Sequence, residues 1–261
     1  MSSSTDRVAW AAFGAARRVA PPAQRVAQRL RRAAFAGRVR AAARMVRADL
    51  DLDLAPDLLI GRDVRVTLEP GSRNVLRIAA GSRLDDRVLI MLKGGSVELG
   101  PRVQVRRDVV LNVAGTLRVG ADGIVSWGSI VHCSNDVVLE PMAGLAEQVT
   151  IADSSHYLTT PDAHFYHNVR VGSVRVGRNS WICPKATLTR GADVGSCCIV
   201  GAGSVVTGVV PDGHLASGVP ARTRPLPLPW TTETAVSASP ATEPLGAGGF
   251  DGPAADRDGG A

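Results

Sequence analysis

A strict period of six runs through residues 174 to 222, and it constrains the fold more than any other feature of the chain. From Val176 onward every sixth residue is aliphatic: Val176, Ile182, Leu188, Val194, Val200 and Val206. Four residues after each stands a small or modest side chain: Ser180, Ala186, Ala192, Cys198, Ser204 and Val210. Directly after each aliphatic comes Gly or another small residue: Gly177, Cys183, Thr189, Gly195, Gly201 and Thr207. A helix needs apolar residues near every 3.6 positions and a half-buried strand needs alternation, so neither accounts for a period of six. A hexapeptide repeat does. Each repeat supplies a short strand and a turn, three repeats close a triangular coil, and the coils stack as a parallel β-helix. The glycines suit a tight backbone at the turns.

The period continues upstream with shifts. Leu99, Val105, Leu111 and Leu117 lie six apart, and Val119, Val125, Val131 and Val137 form a second run displaced by two. A further displacement gives Leu139, Leu145 and Ile151, with Ala143, Val149 and Ser155 in the small-residue slots. Each displacement reads as a longer turn. Residues 51 to 96 are less regular and are marked by Gly61, Gly71, Gly81, Gly94 and Gly95. Without the loop described below, residues 57 to 222 would build on the order of eight coils. An aromatic content of only 4% suits a narrow prism filled by short aliphatic side chains.

Charge divides the chain. Residues 1 to 50 hold eleven arginines and two acids, whereas the whole chain has a net charge of only +6. The basic excess therefore belongs to an N-terminal arm, residues 1 to 50, and residues 51 to 224 form the repeat domain. The arm reads as helical, with Pro21 and Pro22 breaking it and starting a second helix. Val26, Leu30, Ala33, Gly37, Ala41 and Met45 make a mild apolar stripe among arginines. Such a helix either packs on the end of the β-helix or on a neighbouring subunit, or lies on an anionic membrane surface. With no nucleic-acid motif and no aromatic platform among the arginines, nucleic acid is not an expected partner. No apolar run is long enough to span a bilayer.

The repeat stops at His156 and resumes near Val174. The interval from 157 to 173 holds His164, His167 and both tyrosines of the chain. Aromatic and polar residues concentrated in an insertion from a bland scaffold suggest a loop that contacts a ligand or a second subunit. Residues 225 to 261 are rich in Pro, Ala, Gly, Ser and Thr and read as a disordered tail. The four cysteines show no CxxC pair and no matching histidines, so no metal site is expected. Free thiols without a secretory signal fit a reducing cytoplasm.

The run VGRNSWICPKATLTRGADVGSCCIVGAGSVVTGVVPDGHLASGVPAR, with its SWI, GAGSVV and GVPAR marks, resembles the hexapeptide-repeat O-acetyltransferases. This family includes the maltose, galactoside, nodulation and polysaccharide acetyltransferases, and the resemblance covers residues 97 to 224. It implies a left-handed β-helix, a homotrimer, and acetyl-CoA bound between neighbouring prisms. It also implies that His156 of VTIADSSH is the general base toward an acceptor hydroxyl, a role that imidazole suits at neutral pH. On the same ground Trp181, Ala202 and Thr207 would meet the pantetheine arm along one groove, and Arg222 the nucleotide phosphates. Trp181 also reads as an outward aromatic at a subunit interface. Asp153 would bind an acceptor hydroxyl or orient the base, or serve as a plain turn aspartate. His164 and His167 would line the acceptor pocket or make ordinary interface contacts. Gly208 stands where the family often has a lysine, and Cys183-Pro184 replaces the usual Gly and small residue. The expected activity is acetyl-CoA-dependent O-acetylation of a sugar or cell-surface glycan precursor. The alternatives are N-acylation of a nucleotide-linked amino sugar and a non-catalytic trimeric scaffold. A zinc carbonic anhydrase is disfavoured because the histidine spacing does not match.

Overall fold

The structure, a computed structural model, describes residues 22–158 and 168–226. The first part of the arm, His164 and His167 of the loop, and the expected tail from residue 227 onward lie outside the described residues.

The repeat builds what its period demands, a left-handed parallel β-helix with three flat faces. The first sheet has eight strands, from Asp49–Leu54 to Val209–Val210. The second has nine: eight from Leu59–Ile60 to His214–Gly218, and Ala221–Pro225 added antiparallel at its end. The third has seven, from Arg65–Leu68 to Val205–Val206. The irregular entry at residues 51 to 96 is thus already β-helix, and Pro225 and Leu226, read as tail, close its far end. Leu226 N–H donates to the Gly213 carbonyl at 2.9 Å.

Coil length explains why the period was hard to follow upstream. In the second sheet Leu59 pairs with Arg83, Arg83 with Gln104, Gln104 with Ile124 and Ile124 with Gly144, so these coils take 24, 21, 20 and 20 residues. Beyond the loop Trp181 pairs with Ile199, a step of 18. The extra two residues of the 20-residue coils are not longer turns, as the displacement suggests. They lengthen the strands of the first and third sheets, so that Leu117 and Val119 of Thr116–Val119, and Val131 and Cys133 of Ile130–Cys133, all point inward. All six small-residue slots from Ser180 to Val210 are buried, Cys198 among them. Ser155 is not, because the chain leaves the coil before reaching it.

Two features hold one coil on the next. The glycines after the aliphatic residues serve close approach rather than a special dihedral. A Cβ on Gly177 would lie 2.4 Å from the Gly195 carbonyl carbon, and one on Gly195 would lie 2.6 Å from the Asp212 nitrogen. The left-handed residues sit two positions further on, as at Asn179, Lys185 and Cys197. Their N–H groups donate to the turn of the preceding coil, Lys185 to Glu147 and Cys197 to Arg178. Buried serines add a staple: the Ser180 hydroxyl donates to the Gly195 carbonyl at 2.7 Å and accepts from Cys198 N–H at 2.9 Å. Each left-handed non-glycine costs about 1–2 kcal/mol, and the inter-coil bonds offset it.

The helix α1 (Pro22–Met45) closes the N-terminal end of the prism. Phe35, Val39 and Ala43, four apart, are buried against the first coils. Gln28 Oε1 accepts from Ile60 N–H, and Arg32 donates to the Ala55 carbonyl at 3.0 Å. The arm therefore packs on the end of the β-helix, but with the face opposite to the stripe read from the sequence. Val26, Leu30 and Met45 are 54, 66 and 84% exposed. In an alanine-rich helix several stripes are equally apolar, and the open prism selects the one carrying a bulky plug. Phe35→Ala should therefore cost about 3–5 kcal/mol, read as a lowered denaturation midpoint. Leu30→Ala should stay within about 0.5 kcal/mol of the parent.

Candidate active site

The coils have one excursion among the described residues, at the corner between the third and first sheets. After Thr150–Ala152 the chain leaves the coil, and Ser154–His156 pairs antiparallel with Val169–Val171. His156 is the last residue of the outgoing strand, opposite Val169, and its side chain is exposed.

The ribbon is anchored from both neighbouring coils. Asp153, at its base, is fully buried, and its carboxylate accepts from the N–H groups of Ser134 and Asn135 at 2.7 Å and of Asp136 at 3.0 Å. Its own carbonyl accepts from Gly172 N–H at 2.7 Å, which closes the neck of the excursion. Asn135 reaches the Gly172 carbonyl at 2.9 Å, and Ser134 Oγ lies 3.0 Å from Ser154 Oγ. From the following coil Arg190 Nε donates to Ser155 Oγ at 3.1 Å. The Arg170 guanidinium sits 4.3 Å from the Tyr157 ring centre. With three backbone donors and no exposed surface, the Asp153 carboxylate ties the base of the ribbon to the turn of the preceding coil. Ser134, Asn135 and Arg190 carry no sequence signal of this role, since their positions become adjacent only when the coils stack.

Around the same face lie two more of the expected residues. Ala202 and Thr207 flank the last strand of the third sheet, Val205–Val206, and both are exposed. Thr207 shares the corner of His156, two coils further on, which at ~4.8 Å per coil is roughly 10 Å. Trp181 and Arg222 stand elsewhere. Trp181 projects from the second sheet, 38% exposed, and Arg222 lies in the antiparallel hairpin that ends that sheet. The four expected cofactor residues therefore do not share one face of a single chain, because successive repeats rotate around the prism. The indole of Trp181 is seated on Gly144 of the preceding coil. A Cβ there would lie 2.4 Å from two of its ring carbons. That glycine is legible as a seat only once the pairing of Gly144 with Trp181 is known.

A groove of about 510 Å³ runs instead along the first sheet, lined by Arg77, Glu98, Arg118 and Glu140 among others. It contains none of these residues and lies on the charged face, so depth alone does not point to the chemistry. The thiols are also remote from it in character. Burial, then the charge of Asp153, pushes the Cys133 thiol up to about 12, and burial raises Cys183 and Cys198 as well. Such thiols are protonated at neutral pH and are poor nucleophiles. Among the described residues no group of three His, Cys, Asp or Glu could hold a metal ion. His132, one coil before the ribbon, contacts Asn112 through Nδ1 at 3.1 Å.

No family model matches the chain. It is 27% identical over 168 residues to a probable acetyltransferase of Mycobacterium tuberculosis, covering 63% of this chain and 48% of that protein. It is 24% identical over 138 residues to the galactoside O-acetyltransferase of Escherichia coli, covering 48% of this chain and 68% of the relative. The chain thus spans about half the length of the first of these relatives. Among solved structures it resembles the polySia-specific acetyltransferase NeuO, with a TM-score of 0.50 at 16% identity over 70% of this chain and 82% of that one. In sequence and in fold the chain is similar to hexapeptide-repeat acetyltransferases.

Asp153→Asn would turn an amide N–H₂ or a weaker oxygen toward three backbone donors. It should destabilise the protein by about 1–3 kcal/mol in chemical denaturation and raise hydrogen exchange in the ribbon. Gly144→Ala should displace the Trp181 ring, seen as a shift of its emission.

Proposed function

We propose that this chain is an acetyl-CoA-dependent O-acetyltransferase acting on a hydroxyl of a sugar or cell-surface glycan precursor, with His156 as general base. The carrying observation is that the β-helix leaves its coil geometry at one described corner, presents a histidine there on a doubly anchored ribbon, and is similar to acetyltransferases in sequence.

The chemistry is a direct transfer. His156 accepts the proton of the acceptor hydroxyl as its oxygen attacks the thioester carbonyl. The new C–O bond forms, the C–S bond breaks, and the proton passes to the departing sulfur of coenzyme A. The oxyanion between these events needs a donor, which a backbone N–H of the coil wall can supply. Asp153 acts through the ribbon and not on substrate, as a positioning residue. The pantetheine arm follows Ala202 and Thr207, with Trp181 and the Arg222 guanidinium contributing from a second face. His164 and His167 belong to the acceptor side.

A site whose residues sit on two faces of one prism is completed by a neighbouring copy, so the working state is a homotrimer. The outward side chains support it. The first sheet presents Asp53, Arg77, Glu98, Arg118, Val138, Arg175, Asp193 and Val209 in one column, six of the eight charged. The second presents Leu59, Arg83, Gln104, Ile124, Gly144, Trp181, Ile199 and Leu215, and the third Arg65, Leu89, Val110, Ile130, Thr150, Thr187 and Val205, so beyond the first three coils neither column carries a charge. Apolar outward columns suit burial between copies, and charged ones suit water.

His156→Ala should leave the trimer intact in light scattering and lower kcat by about 10²–10⁴ when free thiol release from acetyl-CoA is followed over a panel of sugars and nucleotide sugars. Unchanged turnover in that variant, or no turnover of the parent with any acceptor, would point to a scaffold. Trp181→Ala should raise KM for acetyl-CoA more than it lowers kcat.

A further inference from the structure

We propose that the outer face of helix α1 docks on the surface of an anionic lipid bilayer. The helix has two apolar stripes. The inner one, Phe35, Val39 and Ala43, is consumed in closing the prism. The outer one, Val26, Leu30, Ala33, Gly37, Ala41 and Met45, lies opposite and is exposed throughout. At 3.6 residues per turn, Arg29 and Arg40 run along one flank of the outer stripe and Arg31 and Arg38 along the other. The helix carries seven arginines and no acid. Among the described residues none of them forms an ion pair, and all but Arg32 are exposed. Of the three acids of the neighbouring first strand, Asp49 faces Arg73 at 4.0 Å and Asp51 pairs with Arg77, while Asp53 lines a cleft beside Arg32 and Arg40 without an ion pair to either.

The pattern selects the partner. Unpaired guanidinium groups beside a solvent-exposed aliphatic stripe match a surface with phosphate headgroups above acyl chains, where arginine stems lie along the apolar layer and their heads reach the phosphates. A soluble polyanion would use the arginines and leave Val26, Leu30 and Met45 without a role. Docked this way the prism stands away from the bilayer. The corner of His156 lies on the fifth coil, roughly 20 Å beyond the first at ~4.8 Å per step. Attachment therefore leaves the ribbon and all the faces open.

Flotation of the full chain tests this with vesicles of phosphatidylcholine alone or with about one third phosphatidylglycerol. Binding is expected to the anionic vesicles only, and to weaken as salt is raised. The double variant Val26→Ser, Leu30→Ser should lose about tenfold or more in vesicle affinity with an unchanged melting temperature, because neither side chain touches the core. Arg29→Glu with Arg40→Glu should lose at least as much. Absence of the parent from the anionic vesicle fraction overturns the proposal. So does a serine variant that floats as well as the parent, and binding of that kind with displacement by heparin would reassign the face to a soluble polyanion.

Discussion

Everything in this protein depends on one coil's backbone lying directly against the next. The inward aliphatic residues fill the prism, but the spacing that lets strands pair across coils is set at the corners. There the chain must turn sharply, bury a small side chain, and still place its N–H groups under the carbonyls of the preceding turn. Gly177 and Gly195 mark where no Cβ fits between stacked coils. Lys185 and Cys197 show the same constraint met by a left-handed residue whose N–H reaches back one coil. A solenoid held this way is a sum of nearest-neighbour contacts, so its two ends are the weak points. One is plugged by Phe35 and Val39, and the other is folded over by the antiparallel strand Ala221–Pro225.

The stacking also makes the ribbon. Leaving the coil after Ala152 would strand the backbone donors of the turn above, Ser134 to Asp136. Asp153 supplies the acceptors that the missing turn cannot. The excursion is thereby rigid at its neck although it departs from the repeat, and a histidine three residues later inherits that rigidity. A general base has to be held within hydrogen-bond reach of the proton it takes, and for the role proposed for His156 the scaffold's own bonding requirement would supply the hold.

How much of this was legible in the sequence follows from what the period encodes. The inward column from Val176 to Val206 and the small corners were readable because one physical requirement recurs at one spacing. Upstream coils of 20 to 24 residues satisfy the same requirement with longer strands, so a reader of sixes loses the thread at Leu117 and Val119 although nothing in the architecture changes. His156 was legible as the end of the repeat. Asp153 was legible as a polar residue at a break, but its three donors come from a coil about 20 residues earlier, where no local pattern reveals them. The helix was misread for a related reason. Its alanines leave the inward face undetermined until the open end of the prism chooses Phe35.

The outward faces carry no burden of folding the single chain, so their composition is free to serve contacts beyond it. On the first sheet the column Asp53, Arg77, Glu98, Arg118 alternates in sign, so adjacent strands attract across each step. Such a ladder is content in water and gives little to a partner that would desolvate it. Beyond the third coil the same pleat positions of the second and third sheets hold only uncharged side chains, among them Ile124, Ile130, Ile199, Val205, Leu215 and Trp181 seated on Gly144, and the apolar ones gain from being covered. The groove of about 510 Å³ lies on the charged sheet, while the histidine, Ala202 and Thr207 border the third and Trp181 the second. In the proposed reading, a concavity on one face and exposed groups on the other two are what a site half enclosed by one copy of the chain looks like. On that reading the missing wall is another copy of this chain, whose second and third sheets carry the same uncharged outward positions beyond the third coil.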